Sequence, residues 1–372
     1  MSSEKTLHVL GLSGGKDSAA LAMYMRDNYP ELDIHYYFTD TGKELPEVNV
    51  FIDKLRGYLG KEIIDPYEEV FTSNRKKKDF DYHLEQHKNY LPSPQARWCT
   101  IQMKLVPFEQ WVKRKIEEEG YTEIVSYVGI RADEPARDGF LTNNVTEEYI
   151  TIKMPFREDG LNRQDILNIL QQADLYSDDE EVQAFRELKL GCNGIEQKLP
   201  EELLEQHFEQ RLKVIKADES HPYFKSNINA HTLAKVVSAM DQGKPGYYGW
   251  RSRSGCTFCF YQQKIEWLRL MEIYPDAYEE AKQYEKAAED KRPDGTFYWL
   301  GKGTPLSVLE DEERKQMILE NHKKRYDRFV KKQERQRARN PLQKIIYFSD
   351  VDVMDEIYDQ AEGGGACVTC YK

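Results

Sequence analysis

Six residues near the N-terminus, Ser13-Gly14-Gly15-Lys16-Asp17-Ser18, combine the groups that holding a phosphate requires. They follow the apolar run Thr6 to Leu12 and precede the amphipathic stretch Ala19 to Asp27, which places them on a strand-to-helix turn. Glycines let the backbone approach a phosphoryl group closely, and the first N–H groups and positive dipole end of a helix complement its charge. Ser13 and Ser18 can donate hydroxyl hydrogen bonds, and Lys16 can offset phosphate charge. The loop departs from the Walker A pattern. Three residues separate Gly11 from Gly15 where that pattern needs four, and Asp17 follows the lysine in place of Ser or Thr. The competing explanation is an ordinary glycine-rich turn; six suitable residues in this context weigh against it.

A second group of residues suits metal or sulfur chemistry. Gly255-Cys256-Thr257-Phe258-Cys259 sets two thiols at a spacing that lets both reach one metal ion or cluster, and Cys99 and Cys192 could complete a four-sulfur set. Trp98, Phe258, Phe260 and Tyr261 would keep water from it. Spacing does not separate an iron–sulfur cluster from structural zinc, and Cys192 taken alone reads equally as a buried cysteine. The pair Cys367/Cys370 follows Gly363-Gly364-Gly365 and reads as a mobile thiol relay, a second ligand pair or an end without a role. Arg131 and Arg137 could make charge-assisted hydrogen bonds to anionic oxygens, with Arg97 and Lys104 flanking the same pocket; any one of them alone reads as a surface ion pair.

The elements that must position these groups alternate between strand and helix. Ile34 to Phe38 is a second apolar run ending at Thr39-Asp40-Thr41-Gly42. Pro46 opens a helical pattern through Val48, Phe51, Ile52 and Leu55, Ile63-Ile64 is a third short strand, and Ile101 to Glu119 a further helix. Ile124 to Ile130 is a buried strand. This order predicts an α/β fold with a doubly wound, mostly parallel sheet, whose ligands sit beyond the strands' carboxyl ends, where the loops at 13–18, 40–44 and 131–137 gather. After Pro155 the pattern becomes helical, over Asp165 to Gln172, Glu201 to Ile215 and Gln262 to Met271. The expected division is 1–170 for nucleotide binding, 171–300 for a mostly helical domain carrying Cys192, Cys256 and Cys259, and 301–372 for a basic helix and Gly/Cys tail. A length of 372 residues accommodates this at roughly 150 residues per domain.

Charge is unevenly spread. The chain sums to −12, yet His322 to Lys344 holds ten Lys or Arg against Asp327 and Glu334, a local +8 that leaves −20 elsewhere. That stretch reads either as a solvated helix face or as a phosphate-backbone contact. The overall balance argues against a protein that coats nucleic acid along its whole surface. No apolar run approaches the roughly 18 residues of a membrane span, and the charged start Met1-Ser2-Ser3-Glu4-Lys5 is unlike a secretory leader, so the expected location is cytoplasmic with no membrane partner.

Ser13 to Ser18 resembles the SGGxDS signature of the PP-loop (HUP-like) ATP pyrophosphatases, which cleave ATP between the α- and β-phosphates. The resemblance implies ATP with Mg²⁺, Ser13 through Ser18 around the pyrophosphate portion, and Asp17 contributing to the metal shell. Phe38 to Glu47 resembles the DTGxxFPET loop of the phosphoadenosine phosphosulfate (PAPS) reductase-like branch, with Leu45 for Phe, which implies Asp40, Thr41 and Gly42 at the nucleotide. Arg97-Trp98-Cys99-Thr100 with Lys104 and Pro107, Gly129-Ile130-Arg131 with Glu134 and Arg137, and Met154-Pro155-Phe156 before Gln164-Asp165-Ile166 resemble further elements of that branch. The likeness covers about residues 6–175. Lys16, Asp17, Arg131 and Arg137 are the implied catalytic set.

The cysteine pattern is most similar to the iron–sulfur ATP pyrophosphatases of DNA phosphorothioate modification, which implies a [4Fe–4S] cluster on Cys99, Cys192, Cys256 and Cys259, with Zn²⁺ as the alternative. It also implies DNA as acceptor, a cysteine desulfurase as sulfur donor and further modification-complex subunits. The chain lacks the Glu-Cys-Gly-Leu-His type tail of assimilatory reductases and the adjacent cysteine pairs of cluster-bearing ones. The expected function is therefore adenylation of a nucleic-acid oxygen for sulfur insertion. The alternatives are a tRNA-thiolating enzyme, a reductase of PAPS or APS, and a nucleotide-sensing module of a defence complex.

Overall fold

The computed structural model describes residues 5–71, 78–134, 149–190, 199–291, 297–339, 351 and 354. Five strands form a parallel sheet in the order β3-β2-β1-β4-β5: β1 Thr6–Leu12, β2 Ile34–Phe38, β3 Ile63–Ile64, β4 Glu123–Tyr127 and β5 Ile150–Lys153. Most of β1 is buried, as a central parallel strand covered on both faces must be. The crossover helices are α1 Lys16–Asn28 and α2 Pro46–Leu59, while α3 Pro66–Val70, α4 Phe80–Gln86, α5 Trp98–Thr100 and α6 Val106–Glu119 join β3 to β4. The chain winds outward from β1 to β3, then returns to place β4 on the other side of β1. The switch point of the sheet therefore lies between the carboxyl ends of β1 and β4, where open α/β sheets bind their ligands.

Two departures from the sequence pattern have local causes. Residues 101–105 form a π-turn ahead of α6, with the Val106 N–H reaching the Ile101 carbonyl. Pro107 follows, and its ring cannot donate to, and crowds, the carbonyl four residues back, so the preceding turn widens. The apolar run to Ile130 outlasts strand β4, because the ladder with β5 ends at Tyr127; Val128 and Ile130 stay buried in a small cluster with Ile152 and Met154.

Beyond β5 the chain is helical: α7 Pro155–Glu158, α8 Arg163–Ala173, α9 Glu180–Leu190, α10 Glu201–Ile215, α11 Ala230–Asp241, α12 Lys264–Ile273, α13 Pro275–Lys291 and α14 Glu312–Arg339, with a two-stranded hairpin of Phe297–Tyr298 and Gly301–Lys302 before α14. One apolar core runs from Leu10 and Phe51 in the sheet region through Leu233 and Trp267 to Leu309 and Ile318. That cluster thus draws on all three expected sequence divisions, while Val9, Phe108 and Trp111 belong to a separate one. No helix among the described residues is long and apolar enough to cross a membrane.

Candidate active site

The Ser13–Ser18 loop, the expected phosphate site, occupies the switch point. Its first turn is held by its own serines: the Ser13 N–H donates to Ser18 Oγ at 3.2 Å, Ser18 Oγ donates to the Gly15 carbonyl at 3.2 Å, and the two hydroxyls lie 3.1 Å apart. Gly14 sits at φ +69°, where a side chain is strained, and a Cβ there would come within 2.6 Å of Val48 on α2. Gly129, beyond β4, lies so close to the Asp17 carbonyl that a Cβ would meet it at 3.0 Å. Small residues at both positions bring three segments together at one point.

Three buried charges sit at that point. Asp17 Oδ2 is 3.3 Å from Lys16 Nζ and Oδ1 is 3.0 Å from Arg131 Nη1, with every partner at most 4% exposed. Arg131 also reaches Asp133 through Nε at 2.9 Å and Glu134 through Nη2 at 3.5 Å, and its own N–H donates to Glu134 Oε2 at 3.1 Å. Carboxylates therefore surround Arg131, which places it as the residue that fixes Asp17. Arg137 lies outside the described residues.

The site's far wall comes from a segment nearly 230 residues downstream in sequence, Lys244 to Cys259. The Tyr247 hydroxyl donates to the Gly14 carbonyl at 3.1 Å, and Ser254 Oγ lies 3.5 Å from Ser13 Oγ. The Tyr248 ring centroid is 5.6 Å from Lys16 Nζ and 5.0 Å from Lys244 Nζ, and its hydroxyl accepts from Arg163 Nη2 at 3.2 Å. Arg251 and Arg253 are buried in the same segment. Arg251 Nη2 donates to the Cys256 carbonyl at 2.9 Å, while its Nε and Nη1 have no hydrogen-bond partner among the described residues. Buried Glu266 of α12 holds the segment in place by accepting from both the N–H and hydroxyl of Ser252 at 2.8 Å. Lys244, Arg163, Arg251 and Arg253 were not singled out as site residues from sequence. For all but Arg163, which stands at the start of α8, the sequence signal is the density of cations, serines and aromatics in Lys244-Pro245-Gly246-Tyr247-Tyr248-Gly249-Trp250-Arg251-Ser252-Arg253-Ser254, just ahead of the cysteine pair.

The same segment carries the thiols to the Asp40–Glu44 loop. Cys256 forms an antiparallel bridge with Glu44, and Thr257 donates through its N–H and hydroxyl to the Lys43 carbonyl at 2.7 and 2.9 Å. Within that loop, Thr41 Oγ1 donates to Glu44 Oε1 at 2.8 Å and the Gly42 N–H to Asp40 Oδ1 at 2.8 Å. Burial pushes the Cys256 thiol well up, aided by the Glu44 carboxylate and by Cys99 and Cys259, and opposed by Lys104. Burial likewise raises Glu44, with Lys104 opposing it. Cys99, Cys256, Cys259 and Lys104 therefore share one neighbourhood. Trp98 and Phe258 are buried there around Phe80, at centroid distances of 5.4 and 6.2 Å, whereas Phe260 and Tyr261 are half-buried. Arg97 and Arg253 lie 5.8 and 5.1 Å from the Tyr261 ring centroid. Cys192, Cys367 and Cys370 lie outside the described residues. Among those described, no group of three or more His, Cys, Asp or Glu side chains is arranged to hold a metal ion. The donor chemistry of three neighbouring thiols suits a thiophilic centre; their arrangement is not a formed coordination group.

A parallel α/β sheet with a glycine-rich phosphate loop at its switch point, ringed by buried cations, defines a nucleotide-handling domain. Residues 8–177 match the phosphoadenosine phosphosulfate reductase domain, which supports placing this part of the chain in the PAPS reductase-like PP-loop superfamily and supports a nucleotide-utilising function. No curated protein and no solved structure matches the chain.

Proposed function

We propose that the chain is an ATP pyrophosphatase that adenylates a nucleic-acid oxygen and prepares it for sulfur insertion, with the DNA backbone as acceptor. The observation that supports this most is the joining of two chemistries by one segment: Lys244 to Cys259 lays Tyr247 and Ser254 on the phosphate loop and Cys256 against the Asp40–Glu44 loop. In the proposed reaction an acceptor oxygen attacks the α-phosphorus of ATP. The α–β anhydride bond breaks, its electron pair leaves with pyrophosphate, and the acceptor carries the adenylate. The terminal sulfur of a persulfide, supplied by a cysteine desulfurase, then attacks the acceptor phosphorus and expels AMP; a second thiol attacks the inner sulfur of the resulting S–S bond, releasing the phosphorothioate and leaving as a disulfide.

The loop N–H groups and Lys16 oppose the charge that develops on the departing pyrophosphate. Both Asp17 oxygens face cations, so a Mg²⁺ arriving with ATP would rest mainly on the nucleotide's phosphates and water, with Asp17 the nearest carboxylate of the loop. Arg131 holds Asp17 in place through their 3.0 Å contact. Cys99, Cys256 and Cys259, with Cys192, are the residues that would hold a [4Fe–4S] cluster or zinc; when bound, a cluster would supply a sulfur- or electron-handling centre.

The family match favours a second reading, reduction of PAPS or APS, which yields sulfite from a thiol reductant and consumes no ATP. Mass spectrometry of nucleosides from cells with and without the gene tests the acceptor. Phosphorothioate dinucleotides that vanish with the gene support the proposal; loss of a thiolated tRNA base instead overturns the DNA assignment.

A further inference from the structure

The residues used so far leave a large cavity unassigned. It encloses about 1020 Å³ between α10, α11, the Gly246–Gly249 turn and Tyr326 of α14. That volume lies at the upper end of the range that holds small ligands. Tyr248 and Lys244 line it, and these are the two residues that meet Lys16 and Arg163 around a single ring. The cavity and the phosphate loop are thus neighbours across one tyrosine.

The lining is chemically lopsided. Lys235 and Lys244 bring positive charge from α11 and the loop after it, whereas Glu201 and Glu205 bring carboxylates from α10, with apolar Phe185 and Ala234 also on the wall. A ligand with an anionic end and a hydrogen-bond-donating end would be oriented by this gradient. A nucleotide is such a ligand: its phosphate suits the lysines, and exocyclic amino groups suit the glutamates.

We propose that this cavity seats one nucleotide of the acceptor strand, with its phosphodiester drawn toward Lys244 and so toward the adenylating site behind Tyr248. This rests on the proposed function and adds where the acceptor binds. Helical geometry refines the role of α14. Lys323 lies one turn from Tyr326 on nearly the same side, whereas Arg328, Lys331 and Arg335 project from the opposite side. Lys323 is therefore the nearest α14 cation on the cavity side, and the opposite face is spectator charge.

Binding of fluorescein-labelled DNA and RNA oligonucleotides to the full chain, followed by anisotropy across a salt series, tests the proposal. Ala234→Trp, which puts an indole into the cavity from α11, and Lys235→Glu are each expected to weaken oligonucleotide binding at least tenfold. Lys323→Glu should also lower the salt slope by nearly one, about 0.7–0.9 per lost phosphate contact, while Arg335→Glu leaves binding within about twofold. ATP binding should be unchanged in all four variants, which also reports that they fold. Unchanged oligonucleotide affinity in both cavity variants overturns the proposal, as does a larger loss from Arg335→Glu than from Lys323→Glu. A free mononucleotide that competes as tightly as the strand overturns it in favour of a small-molecule site. Oligonucleotide binding that both cavity variants leave intact rejects the cavity assignment alone; absence of ATP binding, or of any oligonucleotide binding by the unaltered chain, rejects the function beneath it. The DNA and RNA arms identify which strand is held.

Discussion

Asp17 and Arg131 bear the largest electrostatic load at the site. Both are nearly fully buried, so removing one strips the other of a partner while Lys16, or Asp133 and Glu134, keeps part of the compensation, at a cost of up to about 3–5 kcal/mol. Arg131→Met and Asp17→Asn should each lower stability in urea by that order, and the double variant should lose clearly less than the sum. Additive losses would show that the pair is not coupled. Gly14 is the second such residue. Gly14→Ala incurs about 1–2 kcal/mol from its left-handed backbone and drives a Cβ into Val48. Nucleotide affinity should fall in Gly14→Ala and recover in part when Val48→Ala is added; no recovery would mean that backbone strain alone matters. Residues of this kind differ in how readily sequence reveals them. Ser13 to Ser18 are legible because a phosphate loop is local: strand, glycines, cation and helix are contiguous. Lys244, Arg251 and Arg253 are not, because their role exists only when the chain returns to the loop.

At the scale of elements, the Lys244–Cys259 segment and the helices that brace it hold the thiol neighbourhood in place. Anaerobically purified protein is expected to contain iron and acid-labile sulfide near four each per chain, with Cys99→Ser and Cys256→Ser each losing most of both. Colourless protein with about one zinc would replace the cluster by the structural alternative. Farther along, Glu285 of α13 accepts from the Trp299 and Leu306 N–H groups at 3.0 and 2.8 Å and ties the hairpin region to the core. Burial pushes its carboxyl up to about 7 from an ordinary 4.5. The folded state then holds a proton that the unfolded state releases, so Glu285 contributes stability that is present at low pH and is lost as pH rises from 4.5 through 7. The difference in urea-unfolding free energy between the wild type and Glu285→Gln should slope downward across that window by at most about 1.4 kcal/mol per pH unit; a flat difference would contradict the shift. Sequence periodicity reveals helices such as α2 and α10 because their packing stripes are regular. It misses the π-turn at 101–105, whose cause is a single proline acting across a turn.

Over the whole molecule, charge and core tell different stories. The −12 balance conceals a basic stretch in an acidic body, and most of its exposed cations lie away from the cavity side of α14. The apolar core, by contrast, joins the sheet to the helices without a break. Sequence separates these regions because their patterns differ, but it cannot show that they bury one another. Far-ultraviolet dichroism and tryptophan fluorescence should accordingly report one coincident unfolding transition; two separated midpoints would mean that the regions fold independently.

Cleavage of ATP between the α- and β-phosphates is the reaction proposed for the Ser13–Ser18 loop. Incubating the full chain and acceptor DNA with ATP labelled at the α-phosphate, and resolving the products, tests it directly. Labelled AMP, released or bound to acceptor, is expected with equimolar pyrophosphate, and both should be lost in Lys16→Ala. Labelled ADP with inorganic phosphate, or sulfite formed from PAPS with ATP untouched, would contradict it.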